Sequence, residues 1–317
     1  MHSRHVLLIM AVALVCVAVL SFHIIPIDHI AGDRGILFPS ANLWIADAKV
    51  AMWVNVGVTL LLAYLMVVIN RTYNLLRSST LLDTSLFLLM CMSTPWLLDQ
   101  FYTGTPLCLC LLLCLLLLYS TYQNSLRRDR IFLIFFLLSA MTMTQYCYAV
   151  YIPVFIIGCF QMRIFSLKTL AAILMGIISP WFVVLGCGIV PLDGIHAPDI
   201  AKAFGTFNIV ENVPLVIAVI VGTLVLLVGW CLNFPRMIAY NAHIRAYNGT
   251  MSVLALVTVL ALCVDFINLP AYAPVLYVCA SFFFGRMLAA SASPRGYIPV
   301  ITIISIYTAL LVWTLMP

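Results

Sequence analysis

Asp28, His29, Asp33 and Arg34 stand close together in the segment PIDHIAGDRG, and Asp99 follows later in STPWLLDQFYTG. Carboxylates brought to one rim beside a bilayer surface can act as a general base and its electrostatic partner, because partial desolvation raises proton affinity toward neutral pH. Asp33 and Asp28 are the leading candidates for the base, with Asp99 as the supporting acid. His29 and Arg34 are candidate substrate contacts. Gln145 and Tyr146 form a second candidate binding pair, since they fall at a polar interruption, Thr144 to Tyr146, between two apolar runs. The competing reading of each acid is a solvated loop residue that caps or orients a helix.

These residues need a scaffold, and composition names its class. The chain has 317 residues, of which 65% are hydrophobic and 8% charged, with a mean hydropathy of +1.17. That is too little charge to clothe a water-soluble globule of this length. The expected fold is all-α, a polytopic transmembrane bundle of about 11 spans, forming one integral membrane domain over residues 1–317. Six spans fall in residues 1–168, with an external loop at 26–48, and five in 169–317. The net charge of +5 is scattered singly over short loops, so no basic surface exists to track a nucleic-acid backbone.

Orientation follows from the loops. RRDR at residues 127–130 belongs in the cytoplasm, because short loops rich in Lys and Arg are retained there. Alternating the spans from that point puts 12 of the 15 Lys and Arg inside, all except Arg34, Lys49 and Lys202. The N-terminus is then cytoplasmic and the C-terminus periplasmic. Residues 6–25 have the layout of a secretory signal, but Val19-Leu20-Ser21-Phe22 offers no clean cleavage site, so this run is expected to stay as the first helix. The acids show the opposite bias. Asp28, Asp33, Asp47, Asp99, Asp193, Asp199, Glu211 and Asp265 fall outside, and only Asp83 and Asp129 inside.

Further local expectations follow. Phe38, Leu43 and Trp44 are spaced for a short amphipathic helix on the membrane surface. Residues 83–98 form a short third span, capped by Asp83 and Thr84. At about 1.5 Å per residue, neither apolar run between 130 and 160 comfortably crosses about 30 Å of hydrocarbon, which predicts a hairpin of two short helices with Gln145 at its outer tip. Tyr146 and Tyr148 are expected to anchor that tip at the interface. Pro180 is expected to kink the seventh span. Arg286, about 24 Å along its helix from Pro270, is expected to snorkel to the inner headgroups. The 11 cysteines lie in or beside apolar runs and read as small buried hydrophobes. No His pair has metal-ligand spacing, and no phosphate-cradling loop or nucleophile elbow is present, so neither a protein-caged metal nor a cofactor is expected. The patterns Asn70-Arg-Thr and Asn248-Gly-Thr fall on the cytoplasmic side, which discounts them as glycan acceptors.

The segments YIPVFIIGCFQMRIFSLKTLAAILMGIISPWF, AYNGTMSVLAL and LPAYAPVLYVCASFFFGRM resemble an uncharacterised family of bacterial polytopic inner-membrane proteins, a domain of unknown function. The wider layout, one helix, a long external loop carrying acids and then short paired helices, resembles the GT-C superfamily of polyprenyl-phosphate-sugar glycosyltransferases. That resemblance implies transfer of a sugar from a lipid-linked donor to an acceptor at the outer face of the bacterial inner membrane. It implies a base in the first external loop, at Asp28 or Asp33, and a supporting acid in the next, at Asp99. The implied partners are membrane lipids, a lipid-linked sugar and other membrane proteins. A non-catalytic membrane subunit or a transporter is the alternative. The adjacent paired acids of the superfamily pattern are missing, and no inverted repeat of the kind common in transporters is visible.

Overall fold

The structure is a computed structural model that describes residues 2–24, 35–75, 81–124, 126–189, 213–237, 240–266, 268–290 and 297–315. Among them are twelve α-helices: α1 (His2–Ile24), α2 (Ala48–Tyr73), α3 (Leu82–Met92), α4 (Pro95–Leu98), α5 (Gly104–Tyr119), α6 (Arg128–Thr142), α7 (Ile152–Gln161), α8 (Leu167–Gly186), α9 (Val213–Met237), α10 (Ala242–Val264), α11 (Leu269–Ala290) and α12 (Tyr297–Leu315). Two 3-10 turns, Ala41–Leu43 and Tyr146–Tyr151, complete the described elements. No strand occurs among the described residues.

Among the described residues, six helices are long and apolar enough to cross a membrane: α1, α2, α8, α9, α10 and α12. Their outward faces carry large apolar side chains, for example Leu8, Ile9, Met175 and Phe182, the last 72% exposed. In water such a surface would be a large unpaid hydrophobic area; against lipid it is the matching solvent. The most buried helices are α3 and α11. Every residue of α3 from Asp83 to Met92 is buried, and α11 is buried on all sides from Ala271 to Met287. A helix that is apolar all round suits a place with neighbours on every face, and α11 packs against α3, α5, α9 and α10.

Local chemistry sets the ends of these helices. Asp47 caps α2, its Oδ1 accepting from Lys49 N at 2.8 Å and Val50 N at 3.4 Å, and Asn74 closes the helix in the left-handed region at φ 49°. Ser166 caps α8 through Thr169 N at 3.2 Å. Gly176 of α8 lies against α6, where a Cβ would come within 2.8 Å of Phe132 O. A small residue is what allows two backbones in a membrane bundle to approach this closely. Near Pro180, Ser139 of α6 donates to Ile177 O at 2.7 Å and accepts from Trp181 Nε1 at 3.0 Å, tying the two helices together beside the proline.

The expected hairpin is present as α6, the 3-10 turn at Tyr146–Tyr151, and α7. Several local expectations are corrected. The third span is broken: α3 stops at Met92, Thr94 leaves the helical region at φ −123°, and Pro95 starts α4. Proline bars its predecessor from the helical region and offers no N–H, so the helix cannot run through. The N-cap of α3 is Leu81, with Asp83 and Thr84 inside the first turn. The surface segment near Trp44 forms a single 3-10 turn rather than an amphipathic helix, leaving Leu43 and Trp44 exposed. Tyr148 is fully buried instead of anchoring the interface. Arg286 is also buried, bonded to Asn248 Oδ1, with its guanidinium 4.3 Å over the ring of Tyr240. The long reach to the headgroups is replaced by a hydrogen bond and a cation–π contact within the bundle. Seven of the free cysteines are buried, as expected; Cys16, Cys187, Cys231 and Cys263 are exposed.

Candidate functional site

At one end of the bundle α1, α4, α6 and α10 finish, and α2, α5 and α11 begin; this is the end expected to be external. The first turn of α5 is its hub. Gly104 allows α5 to start against α11, where a Cβ would lie 2.8 Å from Pro270 O and 3.1 Å from Ala271 O. Thr103 and Thr105, on either side of that glycine, hold two polar clusters.

Thr105 leads to the first. Its hydroxyl donates to Asn55 Oδ1 at 2.5 Å, and Asn55 Nδ2 donates to Leu97 O at 2.8 Å and Leu98 O at 3.2 Å. Those bonds from α2 fix the end of α4 and so the position of the next residue, Asp99. Ser21, in the last turn of α1, donates to Asp99 Oδ2 at 2.5 Å. Oδ1 of Asp99 is buried without a hydrogen-bond partner. Burial pushes this carboxyl up to about 6, and the Ser21 hydrogen bond opposes the shift. A group of this kind holds or releases a proton near neutral pH, with one oxygen still unused.

The raised value carries a stability prediction. The folded protein binds the Asp99 proton more tightly than the unfolded chain, whose value is near 3.8. The carboxyl therefore costs nothing below about 4, and its cost grows through the window up to about 6 and stays above it. Stability of the wild type relative to Asp99→Asn should fall across that window as pH rises and then level off. Unfolding of both proteins in one detergent across this range measures it; a difference independent of pH refutes it.

Thr103 leads to the second cluster. Its N–H donates to Asn42 Oδ1 at 3.0 Å, and its hydroxyl donates to Gln145 Oε1. Gln145 Nε2 donates to Asn268 Oδ1 at 2.6 Å, and Asn268 Nδ2 donates to both oxygens of Asp265 at 3.0 and 3.1 Å. Tyr146 donates to Asp265 Oδ1 and Tyr272 to Oδ2, each at 3.0 Å. The 35–47 segment joins the same structure, with Leu37 N and Phe38 N donating to Met143 O at 2.9 and 3.2 Å.

The two clusters offer different chemistry. Asp265 has both oxygens engaged by three side chains, so it braces the hairpin tip against the α10–α11 junction. Gln145 is buried with its amide engaged on both sides, which makes it part of that brace. Of the acids in these two clusters, Asp99 combines burial, a raised proton affinity and an unused oxygen; Asp83, in the first turn of α3, is also buried with one oxygen unpartnered. Asp28, His29, Asp33 and Arg34 lie outside the described residues.

No family model, curated protein or solved structure matches the chain. Sequence reasoning placed Asp265 among the external acids but assigned it no role. The signal was present in Asp265-Phe-Ile-Asn268, a polar pair that interrupts two apolar runs just before Pro270. Ser21, Asn42, Asn55, Thr103 and Tyr272 gave no signal, because each is a lone polar residue whose partner is distant in sequence.

Proposed function

We propose that the protein is a GT-C-like membrane glycosyltransferase of about 11 spans in the bacterial inner membrane. It moves a sugar from a polyprenyl-phosphate-linked donor to an acceptor at the outer face, with the N-terminus cytoplasmic and the C-terminus periplasmic. Asp33 or Asp28 is the general base and Asp99 its electrostatic partner, with Arg34 and His29 at the donor phosphate and acceptor. Gln145 and Tyr146 serve the site by holding the hairpin tip. The observation that carries this reading is Asp99, a carboxyl with one unused oxygen held by Ser21 where α1 and α4 finish and α5 starts.

A transporter or non-catalytic subunit is the second reading, and the break between α3 and α4 favours it, since interrupted spans are a transporter device. Deleting the gene distinguishes the two. The enzyme reading expects an accumulated lipid-linked sugar or an underglycosylated acceptor. Unchanged glycans together with a defect in uptake or export of a solute would replace it with the second.

A further inference from the structure

The C-terminus of α7 is closed by a pair of backbone hydrogen bonds, Ile164 N to Cys159 O at 3.2 Å and Arg163 N to Phe160 O at 3.0 Å. This closure puts one residue in the left-handed region, where glycine is favoured because a side chain crowds the backbone. Here that residue is Arg163, at φ 58°. Gln123, at φ 53°, donates its N–H to Met162 O at 3.1 Å and ties the α5–α6 connection to the same turn. A long cation kept where glycine would relieve strain points to a use for its side chain.

The surroundings indicate what that use is. Phe160 and Phe165, before and after Arg163, stack with ring centroids 3.8 Å apart, yet both remain exposed. Leu167 is 85% exposed and Lys168 is exposed beside it. α6 and α8 run in the same direction, with Gly176 against Phe132 and Ser139 bonded to Ile177. Their first turns, and the cations at 127–130, therefore share one end of the bundle with this turn. Asp129 is the only acid between residues 120 and 170. Cations interleaved with exposed rings and leucine at the end of membrane-crossing helices match a molecule that is anionic at its head and hydrocarbon below it. We propose that the α7–α8 turn is a binding site for an anionic phospholipid, with Arg163 and Lys168 at the phosphate and Phe160, Phe165 and Leu167 against the acyl chains. The assignment holds under either function above and either orientation of the chain.

The test uses the purified full chain in neutral detergent, titrated with phosphatidylglycerol or phosphatidylcholine while thermal unfolding is followed. A ligand that binds only the folded state raises the midpoint with its concentration. The expected result is a saturable rise with phosphatidylglycerol that weakens in high salt, and a smaller rise with phosphatidylcholine. Arg163→Gly should raise the midpoint without lipid, because it relieves the left-handed residue. The same variant should need about fivefold more phosphatidylglycerol for half of the effect, the worth of one cation near an anionic surface. These opposite directions separate a lipid contact from damage to the fold. Lys168→Gln should show a similar fivefold shift, whereas Arg245→Gln, which removes an exposed cation from the start of α10, should leave the titration unchanged. Equal rises with the two lipids overturn the proposal. A phosphatidylglycerol response unchanged in both Arg163→Gly and Lys168→Gln, or weakened as much by Arg245→Gln, overturns the assignment to this turn and leaves a diffuse attraction between charges.

Discussion

An Asp265→Leu protein should be less stable than wild type by about 3–5 kcal/mol, the largest stability effect expected of any single change at this end of the bundle. The carboxylate is the common acceptor for Tyr146, Asn268 and Tyr272, at 3.0 to 3.1 Å, and so the centre of the cluster that joins the hairpin tip to the α10–α11 junction. Leucine has the same branched skeleton with larger end groups and leaves no void, so the loss would come from stranded donors and some crowding. A buried donor left without an acceptor costs about 1–3 kcal/mol. Asp265→Asn keeps one carbonyl acceptor and should cost less. Tyr272→Phe removes a single donor and should cost about 1 kcal/mol, the net worth of an ordinary hydrogen bond. Unfolding in detergent, read by tryptophan fluorescence, ranks the three. If Asp265→Leu is as stable as wild type, the cluster is not the brace described here, and Gln145 and Tyr146 return as candidates for substrate contact.

The largest effect on activity is expected from a double Asp28→Asn, Asp33→Asn protein. Asparagine keeps the size and most of the hydrogen bonding of aspartate but cannot accept the proton that general-base work requires, a loss of about 10²- to 10⁴-fold in rate. The double variant should insert and accumulate normally, since substitutions in polar loops usually change stability by about 0.5 kcal/mol or less. Asp99→Asn should reduce the rate by a smaller factor, through lost electrostatic support, and Asp193→Asn should be nearly silent. Transfer from a lipid-linked sugar in membranes, compared at equal protein level, reads all four. Full activity in the double variant would eliminate the catalytic assignment and put the transporter or subunit reading first.

The sequence alone determined most of the helices, though it read α3 and α4 as one. Apolar runs bounded by Pro, Asn and charged residues located α11 and α12 at Leu269–Ala290 and Tyr297–Leu315, and the two short runs around Gln145 were legible as a hairpin. Run length and turn chemistry are local properties, so they can be read locally. Which face of each helix meets protein was not legible. In water an amphipathic stripe marks the buried side, but here lipid and core are both apolar, and the stripe disappears. Only the tertiary structure decided that α3 and α11 lie at the centre and α1 and α12 at the edge. It also decided the fate of the polar residues. Arg286 was free to reach a headgroup until Asn248 and Tyr240, from other parts of the chain, were placed beside it. Asp265 looked like one more external acid until the hairpin tip brought Tyr146 to it across 119 residues of chain. A buried polar group is defined by its partners, and those partners come from sequence positions that no local pattern connects.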